Sequence, residues 1–124
     1  MSFFFLKAYW QLLLFERAIA RGSFDRVYSR VRNCPIDTRT PAEGTAERIC
    51  SALDMACIWY WKEIPCLQRS AATACLLRRH GVAAQMVIGV QHLPFRAHAW
   101  VEVDGVVVND KPYAPEMYAV LDRC

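Results

Sequence analysis

At Gly81 the sequence changes its period. Before it, apolar residues recur every three to four positions, as on the buried face of a helix. After it come Gln85-Met86-Val87-Ile88-Gly89-Val90, Ala99-Trp100-Val101-Glu102-Val103 and Val106-Val107-Val108, which read as strands broken by Leu93-Pro94 and by an Asp104-Gly105 turn. Helices gathered first and strands gathered after specify an α+β fold, with the helices packed on a small antiparallel sheet. A chain of 124 residues is enough for one domain with a real core and too short for two ordinary ones. The expected organisation is a single domain over 1–124, with a helical part over 1–62 and a core over 63–124 that carries the chemistry.

Four helices are expected. Phe3 to Ala20 is amphipathic and rich in aromatics, with Gly22 closing it, and it serves either its own core or a partner surface. Phe24 to Arg32 stops at Cys34-Pro35, because a residue before proline avoids the helical region. Thr40-Pro41-Ala42-Glu43 has the form of a capped start, so the third helix should open there and run to about Tyr60. Pro65 opens the fourth, Cys66 to Arg79, whose small residues Ser70-Ala71-Ala72-Thr73-Ala74 let other elements approach its backbone. Arg78-Arg79-His80 before Gly81 is a regular helix end, with cations at the negative pole and glycine in the left-handed cap. Met117 to Leu121 is a short apolar piece at the end of the chain.

Several functions are excluded. The net charge is only +3, and the basic residues are spread over four regions without a dense stripe, so nucleic acid is not an expected partner. Ala8 to Phe15 resembles the apolar core of a signal peptide. However, Lys7 interrupts the run, Glu16-Arg17 stands where small residues belong, and no positive charge precedes Phe3. The run is also too short to span a bilayer. The expectation is a cytoplasmic protein whose six cysteines are reduced. Those cysteines, at 34, 50, 57, 66, 75 and 124, contain no closely spaced pair, and the histidines at 80, 92 and 98 stand apart. No metal site is expected, and no cofactor, since phosphate-binding glycine loops and nucleophile-elbow serines are missing.

Cys66 differs from the other cysteines. It opens a helix directly after Pro65, where unpaired backbone N–H groups and the positive dipole end favour a thiolate. Its own N–H could hold an oxyanion during acyl transfer. Cys75 lies nine residues on, about 180° around the helix, and belongs to the core. Cys50 and Cys57 share one stripe of the third helix and read as packing residues. A thiol needs an imidazole as its base, and the imidazole needs an acceptor on its other nitrogen. His98 begins one strand and Asp110 ends the next, whereas His80 reads as a helix-end cation and His92 as a loop residue. Whether His98 and Asp110 meet depends on the hairpin. A two-residue Asp104-Gly105 turn pairs Val103 with Val106 and sends Asp110 to the opposite face. A three-residue loop with Gly105 as a left-handed bulge pairs Glu102 with Val106 and His98 with Asp110. Both loops are legal. The pairing of His98 with Asp110 requires the second, so that register is the one expected here.

At these residues the chain resembles a known family. Cys66-Leu67-Gln68-Arg69-Ser70, Leu76-Leu77-Arg78-Arg79-His80-Gly81, Met86-Val87-Ile88-Gly89-Val90, Pro94-Phe95-Arg96-Ala97-His98-Ala99-Trp100-Val101-Glu102 and Gly105 are similar to the leader peptidase of lasso-peptide maturation, a transglutaminase-like cysteine protease. The resemblance spans roughly Ile64 to Asp110 and implies a catalytic triad of Cys66, His98 and Asp110. It also implies cleavage at the leader–core junction of a ribosomally made precursor, so that an ATP-dependent cyclase can use the freed amine. The family is found fused to a leader-binding domain or separate from it. With residues 1–63 helical and committed to supporting the cysteine helix, the resemblance implies the separate form. The expected partners are therefore the precursor peptide, a separate leader-binding protein and the lasso cyclase. Two rival readings keep the fold: amide transfer to an amine, as in transglutaminases, and a non-catalytic interaction module. A third, a secreted disulfide protein, is tested by counting free thiols.

Overall fold

The computed structural model describes residues 3–21, 24–92 and 94–124. Its elements are α1 (Phe3–Ala20), α2 (Phe24–Arg32), α3 (Thr45–Trp59), α4 (Cys66–Arg79), β1 (Ala84–His92), β2 (Phe95–Val103), β3 (Val106–Val107), α5 (Ala114–Met117) and β4 (Ala119–Arg123). The strands form one antiparallel sheet in the order β3-β2-β1-β4. The α+β architecture expected from the change of period at Gly81 is the one observed.

Helix α4 is the centre. It is buried from Ser70 through Arg78, and it packs on α1, α2 and α3 on one side and on β1 and β2 on the other. Alanines at 71, 72 and 74 make this possible, because a larger side chain would hold the neighbours off. Ala8, Leu12 and Phe15 of α1, Ile49 and Leu53 of α3, and Met86, Ile88, Ala99 and Val101 of the sheet close the main core around it. Side chains alternate along a strand, so the intervening residues Val87 and Trp100 face the other way, into a small cluster with Ala114.

The end of α4 follows the sequence closely. Gly81 is left-handed at φ 86°, its N–H bonds Arg78 O at 3.1 Å, and the Val82 N–H reaches Leu77 O at 3.0 Å. A side chain at Gly81 would also strike the carbonyl oxygen of Arg39. Arg78 is not a solvent-facing cation. It is buried, and its guanidinium donates to carbonyls of Val31, Cys34 (3.4 Å), Ala84 (2.8 Å) and Cys124, stitching α2, β1 and β4 to the helix. His80 also departs from expectation. Burial, and then the charges of Lys7 and Arg39, lower its pKa, which favours the neutral ring over a cation at the dipole end.

Three boundaries move. The third helix starts at Thr45, not at Thr40-Pro41. Ala42 O accepts from the Thr45 N–H at 3.1 Å and the Thr45 hydroxyl at 2.6 Å, with Gly44 at φ 82° and ψ 1°. That is a type II turn, which needs glycine at its third position, and Gly44 outranks the capping pattern upstream. His92 is the last residue of β1, opposite Phe95, and not a loop residue. The closing apolar piece becomes β4, which pairs with β1. Gly22 and Leu93, read as a helix stop and a loop residue, lie outside the described residues. Among the described residues, no helix is long and apolar enough to cross a membrane, and no cluster of metal ligands occurs.

Candidate active site

The hairpin register is the two-residue one. Val103 pairs with Val106 and Glu102 with Val107, with Asp104 at φ 53° and Gly105 at φ 78°. Two successive positive-φ residues make a type I′ turn, which an Asp-Gly pair favours strongly and which matches strand twist. The expected Glu102–Val106 pairing is therefore wrong, although Gly105 is left-handed as anticipated. Carried on regularly, this register would set Asp110 on the wrong face.

It is not carried on. At Val108 only half of the next rung forms: the Val108 N–H donates to Val101 O at 3.0 Å, but the Val101 N–H donates instead to Asn109 Oδ1 at 2.7 Å. Residues 108–110 leave the ladder, and the Asp110 carboxylate comes round to hydrogen-bond His98 Nε2 through Oδ2. The His98–Asp110 contact exists, reached by a different route from the one parity demanded. Burial pushes the Asp110 carboxyl up, but the bonds from His98 and from the Lys111 N–H (2.7 Å) outweigh it and hold its pKa below the usual carboxylate value.

His98 sits on the sheet face away from the helices. Its ring stacks on Tyr118, with centroids 5.2 Å apart, and lies 6.0 Å from Trp100. Trp100 Nε1 donates to Glu102 at 2.9 Å, and Arg123 pairs with the same carboxylate at 2.7 Å, so this row of β2 is braced along its length. Gly89, opposite His98 in β1, leaves the space: a Cβ there would lie 2.7 Å from Trp100 and 2.8 Å from Tyr118. Sequence reading missed Tyr118 and Asn109. The alternation His98-x-Trp100-x-Glu102 was the available signal that an aromatic, polar row covers this face.

Cys66 is the first residue of α4, half-buried. Pro65 takes the capping position with extended backbone and offers no side-chain hydrogen bond to the first turn. Its position along β2 is bounded by two contacts. Ser70 Oγ donates to Ala99 O at 3.0 Å, and Arg78 reaches Ala84 O, whose residue pairs with Val103. Eight helical residues cover about 12 Å and four strand residues about 13 Å, so α4 runs alongside β2 in the same direction. One turn before Ser70, about 6 Å back along the helix axis, Cys66 is level with Ala97, two strand residues before Ala99. There the edge of β2 is open, because β3 is only two residues long. Among the described residues no hydrogen bond joins Cys66 to His98. Asp110 occupies His98 Nε2, which leaves Nδ1 as the ring's other nitrogen.

The remaining cysteines are packed differently. Cys75 is 3% exposed, on the far side of α4, where contact with Cys34 and burial hold its thiol protonated. Burial pushes the Cys50 thiol up to about 11 and raises that of Cys57.

The family model of the transglutaminase-like superfamily matches residues 10–123. The chain belongs to that superfamily. The match takes in the helical half as well as the hairpin, so it extends well beyond the stretch that first carried the resemblance. Over 56 residues the chain is 41% identical to the microcin J25-processing protein McjB of Escherichia coli, covering 45% of this chain and 27% of that protein. No solved structure matches. A helix that begins with cysteine and packs on a hairpin bearing a His–Asp pair is thus set on a transglutaminase-like fold.

Proposed function

We propose that this chain is a cysteine endopeptidase that removes the leader from a ribosomally made lasso-peptide precursor. The observation that carries the reading is the His98 Nε2–Asp110 bond, on a strand that α4 brings level with Cys66. Similarity to a protein named for processing microcin J25 supports the substrate class.

In this mechanism Cys66 Sγ attacks the carbonyl carbon at the leader–core junction, and its proton passes to His98 Nδ1. Asp110 holds the imidazole in the tautomer that can accept it and stabilises the imidazolium. The Cys66 N–H, at a helix start without a side-chain cap, donates to the oxyanion. Collapse of the adduct breaks the peptide bond: His98 gives its proton to the leaving amine, which is the new N-terminus of the core peptide. The leader stays on Cys66 as a thioester. Water, deprotonated by His98, attacks it, and the leader leaves as a carboxylic acid while the thiol is restored.

The partners in this reading are the precursor, a separate leader-binding protein and the ATP-dependent cyclase that uses the freed amine, all in the cytoplasm. The α1 face supports a docking partner. Phe3, Leu6 and Trp10 are 66%, 69% and 59% exposed, and they line a cleft of about 640 Å³ with Lys7 and Arg79 on its walls. The test is to incubate the purified chain with precursor, with and without the leader-binding protein, and weigh the products. Hydrolysis adds one water across the two fragments, whereas amide transfer to an added amine adds the amine to the leader. Failure to cleave in both mixtures, or cleavage that survives Cys66→Ala, overturns the proposal.

A further inference from the structure

Asn109 occupies an unusual position. Its side chain makes two buried hydrogen bonds in opposite directions: Oδ1 accepts from the Val101 N–H at 2.7 Å, and Nδ2 donates to Ser70 Oγ at 3.1 Å. Ser70 in turn donates to Ala99 O at 3.0 Å. The Asn109 carbonyl accepts from Arg69 Nη2 at 3.1 Å, and the same guanidinium nitrogen pairs with Asp54 at 2.8 Å. One side chain therefore touches the helix that carries Cys66, the strand that carries His98 and, through its own backbone, the residue next to it, Asp110.

The contacts explain a conflict in the hairpin. The type I′ turn fixes a register that, continued, keeps Asp110 away from His98. The rung that would continue it needs the Val101 N–H to reach Val108 O, and Asn109 Oδ1 takes that donor instead. An amide is suited to the task because it is acceptor and donor at once. The acceptor ends the ladder, and the donor ties the break to α4.

We propose that Asn109, with Ser70 as its anchor, is a positioning residue: it ends β3 so that Asp110 turns onto His98, and it fixes that pair relative to the Cys66 helix. This rests on the Cys66–His98 reading above. It adds that the orientation of the imidazole depends on a side chain that touches neither substrate nor thiol. Ser70 lies one turn from Cys66, so the same clamp sets the spacing between the two halves of the site.

The test uses the full chain and needs no substrate. The rate of Cys66 alkylation by iodoacetamide is measured against pH, with each cysteine followed by peptide mass, because reactivity tracks the thiolate fraction. In the wild type the profile should depend on His98, shifting upward in His98→Ala. Asn109→Ala should move it the same way by about one pH unit, roughly a fivefold loss of rate at the wild-type midpoint. Ser70→Ala should give a smaller shift in the same direction, and it is the variant to use if Asn109→Ala does not fold. In the double variant Asn109→Ala/Asp110→Asn the second change should add less than about twofold, since the aspartate is already misplaced. Val31→Ala, a core truncation on α2, supplies the stability control: comparable loss of Tm with no change of profile. With precursor, the Asn109→Ala loss should fall on kcat and leave KM near its wild-type value.

A profile that depends on His98 but superimposes for wild type, Asn109→Ala and Ser70→Ala overturns this inference alone. So does full additivity with Asp110→Asn. A wild-type profile indifferent to His98→Ala overturns the Cys–His reading and this inference with it.

Discussion

The two ends of α4 are built in opposite ways. At the C-terminal end every device is spent on fixing the chain: Gly81 in the left-handed cap, a Schellman pair of hydrogen bonds, and a buried Arg78 donating to carbonyls of three neighbouring segments. At the N-terminal end Cys66 follows a proline, no side chain caps the first turn, and the thiol is half-exposed beside the open edge of β2. One helix thus carries an anchor and, one helix length away, the proposed nucleophile at an end that no side chain caps. The difference teaches that the contacts joining α4 to α2, β1 and β4 through Arg78 lie far from Cys66, so the two ends should separate under mutation.

The sharpest separation comes from Cys66→Ala. Cleavage of precursor should fall by at least about a thousandfold, because alanine offers no nucleophile at the start of α4. Thermal unfolding should stay where it is, since the side chain closes no core contact that alanine cannot approximate. Parallel product masses and melting curves check both halves. A surviving activity that follows Cys57 or Cys75 would place the nucleophile elsewhere.

Arg78→Ala is the mirror experiment. It removes the guanidinium donor from Ala84 O, and one of two donors each from Val31 O and Cys124 O, and should cost about 3–5 kcal/mol in urea unfolding. Activity per folded molecule should stay close to wild type. Arg78→Lys should recover only part of the stability, because an ammonium cannot serve divergent carbonyls as the guanidinium fork does. If Arg78→Ala lost activity well beyond its folded fraction, the independence of the two ends would be wrong.

These positions also separate what was legible in the sequence from what was not. The end of α4 could be read directly, because Arg-His-Gly at a helix stop is local chemistry. The Cys66 start was equally local. Thr40-Pro41-Ala42-Glu43 carried a local signal too, but a competing one three residues on prevailed: Gly44 can adopt the positive φ of a type II turn, and the helix waits for it. The hairpin mixed the two cases. Asp104-Gly105 specifies a type I′ turn locally, and the longer loop was preferred only because regular parity then aligned His98 with Asp110. What parity could not register is a side chain replacing a backbone rung. Asn109 reaches Val101 and Ser70 only after the sheet and α4 have docked, so its role has no signature at short range. The burial of Arg78 was hidden for the same reason.

Asp110→Asn tests the reactive end at intermediate magnitude. The amide keeps the shape and loses the charge that supports the imidazolium, so kcat should drop by about a hundredfold, with a modest loss of Tm at neutral pH. The pH dependence has a definite sign. Asp110 has a folded pKa below the ordinary 3.8, so its contribution to stability is complete above that value and disappears as pH falls through the lower folded one. Wild-type and Asp110→Asn unfolding curves should therefore differ at neutral pH and converge in acid. Divergence that grows on acidification would mean that the carboxyl is held protonated and that the His98 bond has another character.

The smallest effect, and the finest probe of the comparison, is to cap the uncapped end. Pro65 has φ −63° and ψ 153°, backbone that a capping serine adopts readily. Pro65→Ser places a hydroxyl where it can accept from the N–H groups of Leu67 or Gln68, stabilising the helix by under about 1 kcal/mol. The greater freedom of the unfolded serine chain offsets part of this. The Cys66 N–H is not a target of that cap, so cleavage should change by less than about threefold. Pro65→Asp offers the same cap with a carboxylate beside the thiol. It should stabilise at least as well through the helix dipole, yet raise the pH at which Cys66 is alkylated, because a neighbouring negative charge disfavours the thiolate. The pair isolates charge from capping. If Ser and Asp slowed alkylation equally, the first-turn N–H groups themselves would be what activates Cys66, and its reactivity would owe more to the bare helix end than to His98.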